Sequence, residues 1–87
     1  MDKERNEEAR REALRFVACR NLLAHALPAV RRGVNREGFD FTDEEILSAL
    51  GLLIGLGLVI DRVDALGSSK YYQVTASGML TCERDLL

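Results

Sequence analysis

Apolar residues recur at helical spacing from Ala13 onward, through Leu14, Phe16, Val17, Ala18, Leu22, Leu23, Ala24 and Leu27. A charged opening precedes them, with Glu7 and Arg11 spaced i,i+4 and Glu12 and Arg15 spaced i,i+3, as in helix-surface ion pairs. The pattern predicts one helix over residues 2–27, solvated in its first turns and buried after them. Pro28 cannot continue that helix undisturbed and biases Leu27 away from helical backbone. Proline suits the first turn of a new helix, so a short second helix is expected over 28–37. Val30 and Val34 share its inner face, Gly38 supplies the stop, and Gly33 weakens it.

Phe39 and Phe41 alternate with Asp40 and lead into Thr42. Thr42 with Glu45 three residues later is a capping box, and Asp43, Glu44 and Glu45 stand at the positive end of the helix dipole. A third helix is therefore expected from Asp43 to about Leu56, ended by Gly57. Leu58 to Val63 is β-branched at 59, 60 and 63 and reads as a strand. Residues 64–69 read as a turn, and Lys70 to Val74 as the returning strand of a hairpin. Thr75 caps a last helix over Ala76–Asp85, with Met79, Leu80 and Leu86 facing inward.

On a helical wheel, Ile46, Ala49, Leu50, Leu53 and Leu56 make the core stripe of helix three. Ser48, Gly51 and Gly55 lie opposite, flanked by Leu47, Leu52 and Ile54. Beyond its first turn this helix has no polar face, and a helix apolar all round is expected to be covered all round. Gly51 and Gly55 have the Gly-x-x-x-Gly spacing that lets helix backbones approach closely. A membrane span is excluded by length, because Ile46 to Ile60 falls short of the ~20 residues a crossing needs. Either helix one packs over the small-residue strip, or a second copy or another protein does.

Charge sharpens the picture. The net charge of −2 argues against a generic polyanion binder. Residues 42–61 carry no basic group and four acidic ones. Positive surface must then come from elsewhere, with Arg31, Arg32 and Arg36 near helix two and Arg62 and Lys70 on the hairpin. At 87 residues the chain is one domain, 1–87, with a thin margin of stability that self-association would raise. The charged N-terminal stretch is unlike a signal peptide, and Cys19 and Cys82 read as free thiols of a cytoplasmic protein. His25, Cys19 and Cys82 lack metal-ligand spacing, and no nucleophile–base pair or phosphate-cradling loop is present. No enzyme, metal or cofactor is expected.

Two stretches carry a family resemblance. The first is Ile46-x-x-Ala49-Leu50-x-x-Leu53-x-x-Leu56-Gly57-Leu58-Val59. The second is Tyr71-Tyr72-Gln73-Val74-Thr75-Ala76-x-Gly78. With the order helix, helix, helix, hairpin, helix, the chain resembles the winged helix-turn-helix superfamily over about residues 9–86. The resemblance implies a small α+β winged helix and a DNA-binding regulator, working as a homodimer. In that family the third helix enters the major groove and the wing touches the backbone. Here the corresponding outer positions are Leu47, Ser48, Gly51, Leu52, Ile54 and Gly55, where the family usually carries Arg, Lys, Gln, Asn, Ser or Thr. Duplex DNA is therefore expected to meet Arg31, Arg32 and Arg36 of helix two and Arg62, Ser68, Ser69 and Lys70 of the wing. The alternative is a protein-interaction module on the same scaffold, docking a partner through helix 43–56.

Overall fold

The computed structural model describes residues 3–20, 23–67 and 69–85. Its elements in chain order are α1 (Lys3–Cys19), β1 (His25–Ala26), α2 (Leu27–Asn35), α3 (Asp43–Gly55), β2 (Val59–Val63), β3 (Lys70–Val74) and α4 (Ala76–Asp85). The order of elements is that of a small α+β winged helix.

The long first helix expected over 2–27 is replaced by α1 and the short strand β1. Strand pairing gives the physical reason. Ending α1 at Cys19 lets the chain return and pair with β3, His25 opposite Tyr72 and Ala26 opposite Tyr71. Leu22 lies outside the described residues, and Leu23, expected to be buried, is exposed.

Ala26, extended at φ −72° and ψ 157°, precedes α2, which carries Pro28 in its first turn. Leu27 is helical, one residue earlier than proline's bias on its predecessor led us to expect. Val30 and Val34 are buried, as their spacing implied. Gly33 has a packing role: a Cβ there would overlap the ring of Phe16 on α1.

The sheet has the order β1-β3-β2 and is antiparallel throughout. Val59 pairs with Val74 and Asp61 with Tyr72, so Val59, Tyr72 and Val74 share the face turned to the helices and are buried there. Beyond them the hairpin leaves the core as a wing. Ile46, Leu50, Val17, Val30, Val59 and Cys82 form the fully buried centre. Each of its aliphatic side chains contributes roughly 1.5–3 kcal/mol of burial.

The chain turns into α4 at Thr75. Its hydroxyl donates to the Gly57 carbonyl at 2.7 Å and accepts the Gly78 N–H at 3.0 Å. Gly78 is required by close approach, because a Cβ would run into the backbone of Leu58. In α4, Met79 packs partly against the core and Cys82 is buried, whereas Leu80, expected to face inward, is exposed. The two residues lie on different sides of a short helix, and the inward side is taken by Gly78 and Cys82. Leu86 lies outside the described residues. Among the described residues no helix is long and apolar enough to cross a membrane.

Candidate nucleic-acid interface

The start of α3 is fixed by three other parts of the chain. Thr42 closes the capping box: its hydroxyl accepts the Glu45 N–H at 3.2 Å, and its own N–H donates to Glu45 Oε1 at 3.0 Å. Asn35, at the end of α2, clamps Phe41 from both sides, donating to its carbonyl at 3.0 Å and accepting its N–H at 2.9 Å. Arg5 of α1 closes a fork on the Glu45 carboxylate through Nε and Nη2, and Nη2 also reaches Asp40. The Arg5 guanidinium lies 4.9 Å from the centre of the Phe41 ring. The Arg5 hydrogen bonds, and then the Thr42 N–H, pull the Glu45 carboxyl down from 4.5 to about 2. The acidic first turn thus acts as a positioning device. Arg5 and Asn35 were not singled out in the sequence, because their partners lie in other elements.

Past this anchor the outer face of α3 is open. Leu47, Ser48, Gly51, Leu52 and Gly55 are exposed, and a Cβ at Gly51 or Gly55 would meet nothing within 4 Å. Helix one runs beside the small-residue strip without covering it, so that expectation is overturned. Two other assignments change. Ile54 is half-buried and packs against the core, and Leu56, assigned to the core stripe, is 63% exposed. Leu56, the C-cap of α3, keeps helical backbone with its N–H on the Leu52 carbonyl, and sits at the margin of the stripe beyond Leu53, where the core ends. Gly57, at φ +77°, then takes the chain into the wing with backbone that favours glycine.

The expected basic residues divide into groups. Arg31 turns toward α3 and pairs with Asp43 at its first turn. Arg36 lines a groove between α1 and α2, with Phe16, Cys19 and Arg20. Arg32, also on α2, is exposed. On the wing, Lys70 pairs across the strands with Asp61 at 3.6 Å, and Arg62 and Ser69 are exposed. Ser68 lies outside the described residues. Arg32, Arg36 and Arg62 have no ion-pair partner among the described residues. The wing turn is held by Asp64, whose carbonyl accepts the Gly67 N–H and whose carboxylate accepts the Leu66 N–H. It carries Leu66, 90% exposed, at its tip.

One group was not foreseen. Asn6 and Arg10 of α1 line an open groove of about 320 Å³ whose other wall is Glu45, Ser48, Ala49, Gly51 and Leu52 of α3. The charged opening of α1 suggested only solvated turns, and no local signal ties residues 6 and 10 to residues 48–52. His25 sits in β1, edge-on to Phe16 at 5.1 Å, with Nε2 3.3 Å from the Arg20 carbonyl. Cys19 is exposed and Cys82 buried, and burial pushes the Cys82 thiol upward.

No family model matches the chain, and no curated protein matches it. Solved structures do share its fold. Staphylococcus aureus MepR in complex with DNA superposes with a TM-score of 0.73 at 17% identity, over 87% of this chain and 58% of that one. A second structure of MepR, a transcription regulator of the multidrug efflux pump MepA of that organism, gives 0.71 at 16% identity, over 93% of this chain and 64% of that one. F-93 of SSV1 gives 0.65 at 24% identity, over 85% of this chain and 79% of that one. The chain thus spans less than two thirds of the MepR chains it matches. The fold is a winged helix-turn-helix, in which α2 and α3 are the two helices of the turn and β2 and β3 the wing.

Proposed function

We propose that this chain is a DNA-binding regulatory domain of a cytoplasmic protein that works as a pair of copies. The observation that carries the reading is α3 itself. It is anchored at its first turn and presented at the surface beside a wing, in the fold of a regulator whose structure holds DNA. An α-helix ~10–12 Å across matches a major groove ~12 Å wide. With Ser48, Gly51 and Gly55 outermost, the backbone of α3 approaches the groove floor closely. Leu47 and Leu52 offer apolar contact of the kind a thymine methyl accepts.

Base reading by such a face is sparse, so affinity rests on phosphate contacts. Arg32 of α2 and Arg62, Ser69 and Lys70 of the wing supply them, joined by Arg31 and Arg36 and by Ser68. Arg31 also offsets the charge of Asp43, which would otherwise repel the duplex. The protein binds rather than catalyses, and it holds no cofactor.

The test is fluorescence anisotropy of the purified protein against mixed-sequence duplex DNA, titrated in salt. Binding that weakens steeply with salt, with a slope counting the phosphates neutralised, is expected. No binding at low salt and micromolar protein overturns the reading.

A second reading is favoured by one observation, the exposure of Leu47, Leu52 and Leu56 along an acidic helix. Under it α3 docks a second copy or a protein partner through Leu47, Ser48, Gly51, Leu52 and Gly55. Gly51→Leu separates the two, because a Cβ there meets nothing within 4 Å. Loss of assembly in sedimentation without DNA supports docking. A monomeric wild-type protein, or unchanged assembly in the variant, removes docking of a second copy.

A further inference from the structure

We propose that Asn6 and Arg10 of α1 hold the phosphate backbone of duplex DNA along one flank of α3, a role that rests on the DNA-binding reading above. The argument begins from what α3 lacks. A helix lying in a major groove is bordered on both sides by a sugar–phosphate strand, and α3 brings no cation of its own to either. Its neighbours must supply them. On the flank toward α2 stands Arg31, tied to Asp43. On the flank toward α1, Asn6 and Arg10 face Ser48, Gly51 and Leu52 across an open groove.

The three α3 residues carry the inference. Ser48, Gly51 and Leu52 belong to the exposed outer face and also to the wall of this groove. The groove therefore opens on the face that would meet DNA. A backbone strand running beside that face passes over Asn6 and Arg10. Asn6 offers an amide donor and Arg10 a guanidinium, the two donor types that phosphate oxygens accept.

Electrostatics favour this flank. The carboxylate in the groove, Glu45, is held by the Arg5 fork and the Thr42 N–H, so its charge is compensated within the protein. Arg10 has no ion-pair partner among the described residues. Both Asn6 and Arg10 are half-buried, so their stems are confined before any ligand arrives and little side-chain freedom is lost on binding. Arg10 on one flank and Arg31 on the other would brace a neutral helix between two phosphate strands. Contacts of this kind fix register and depth without reading sequence.

The test uses the full chain and mixed-sequence duplex DNA, with anisotropy titrations between about 50 and about 200 mM salt. Arg10→Gln keeps most of the side-chain stem and removes the charge. It is expected to lower the salt slope by about 1, which narrows its gap from wild type by about 3–4-fold across that range. Arg10→Lys is expected to retain the slope. Asn6→Arg is expected to raise it by about 1, a gain that misfolding cannot imitate. Arg84→Ala, on exposed α4, is the control and leaves the slope unchanged.

Thermal melts of each variant establish folding, and if Arg10→Gln does not fold, Asn6→Arg decides. Wild-type binding with an unaltered slope in both Arg10→Gln and Asn6→Arg overturns this proposal and leaves the DNA-binding reading standing. Absence of wild-type binding overturns both.

Discussion

At its first turn α3 is gripped by side chains from two other helices, whereas at Gly51 and Gly55, further along, a Cβ would meet nothing within 4 Å. The anchored end is polar and geometrically specific, with a capping box, a two-way asparagine clamp and an arginine fork. The open face is small and apolar. The contrast shows what α3 contributes. Its orientation is fixed by polar contacts, yet its outer face brings little chemistry of its own; under the proposed DNA-binding reading it presents a shape while its neighbours bring charge.

The glycines give the sharpest way to break that comparison. Gly78 stands where α4 meets the Leu58 backbone, and a methyl group there has no room. Gly78→Ala is expected to cost about 2–3 kcal/mol, the upper part of the range for overpacking a tight contact. A domain of this size would then lose roughly 10–20 °C in Tm. Calorimetry checks this, and an unchanged Tm would show that α4 can move away from the sheet without loss. Gly33→Ala is expected to cost less, because the atoms it displaces belong to the half-buried Phe16 ring.

Acid sharpens the anchored side of the comparison. The Glu45 carboxyl titrates at about 2 in the folded chain, against an ordinary value of 4.5. The unfolded chain therefore takes up this proton first as pH falls. The Glu45 contribution to stability is complete above about pH 4.5 and is lost on descending toward pH 2. Glu45→Gln is expected to be less stable than wild type at neutral pH, with the two curves converging across this window. Urea denaturation at a series of pH values checks it. Parallel curves would mean that Glu45 acts only as a neutral cap.

The cap itself is worth less. Thr42→Ala removes the acceptor for the Glu45 N–H and is expected to cost about 1 kcal/mol, read as a lower urea midpoint with the same m-value. Arg5 still reaches Glu45 in this variant, so α3 begins in the same place and DNA affinity should change little.

These effects also mark what the sequence makes legible. The placement of α3, the hairpin and α4, to within a residue, follows from signals a few residues wide: Thr42 with Glu45, Gly57, the β-branched residues at 59, 60 and 63, and Thr75. The end of α1 has no such signal. No glycine or proline interrupts residues 19–25, and the break arises because β3 offers an edge for His25 and Ala26. The candidate interface divides the same way. The bareness of α3 can be read from composition, but its exposure cannot, since a helix apolar on every side is ordinarily covered. The pairing of Arg31 with Asp43, and the meeting of Arg10 with Ser48, depend on how helices cross. Spacing within one helix holds no information about that.

The smallest expected effect tests the open face most directly. Gly51 lies inside α3, where glycine costs up to about 1 kcal/mol relative to alanine through lost backbone entropy. Nothing in the fold requires glycine there, because its φ is negative and a Cβ meets open space. Gly51→Ala is therefore expected to stabilise the isolated domain by about 0.5–1 kcal/mol, seen as a raised urea midpoint. Keeping a glycine at that cost makes sense where something outside the chain must approach the α3 backbone closely. The same variant should then bind its partner more weakly while folding better. In anisotropy the partner is DNA, and in sedimentation a second copy. Opposite signs for stability and binding would identify the outer strip of α3 as a contact surface. A variant that gains in stability and loses nothing in either binding assay would leave Gly51 without a role in contact and return attention to the flanking arginines.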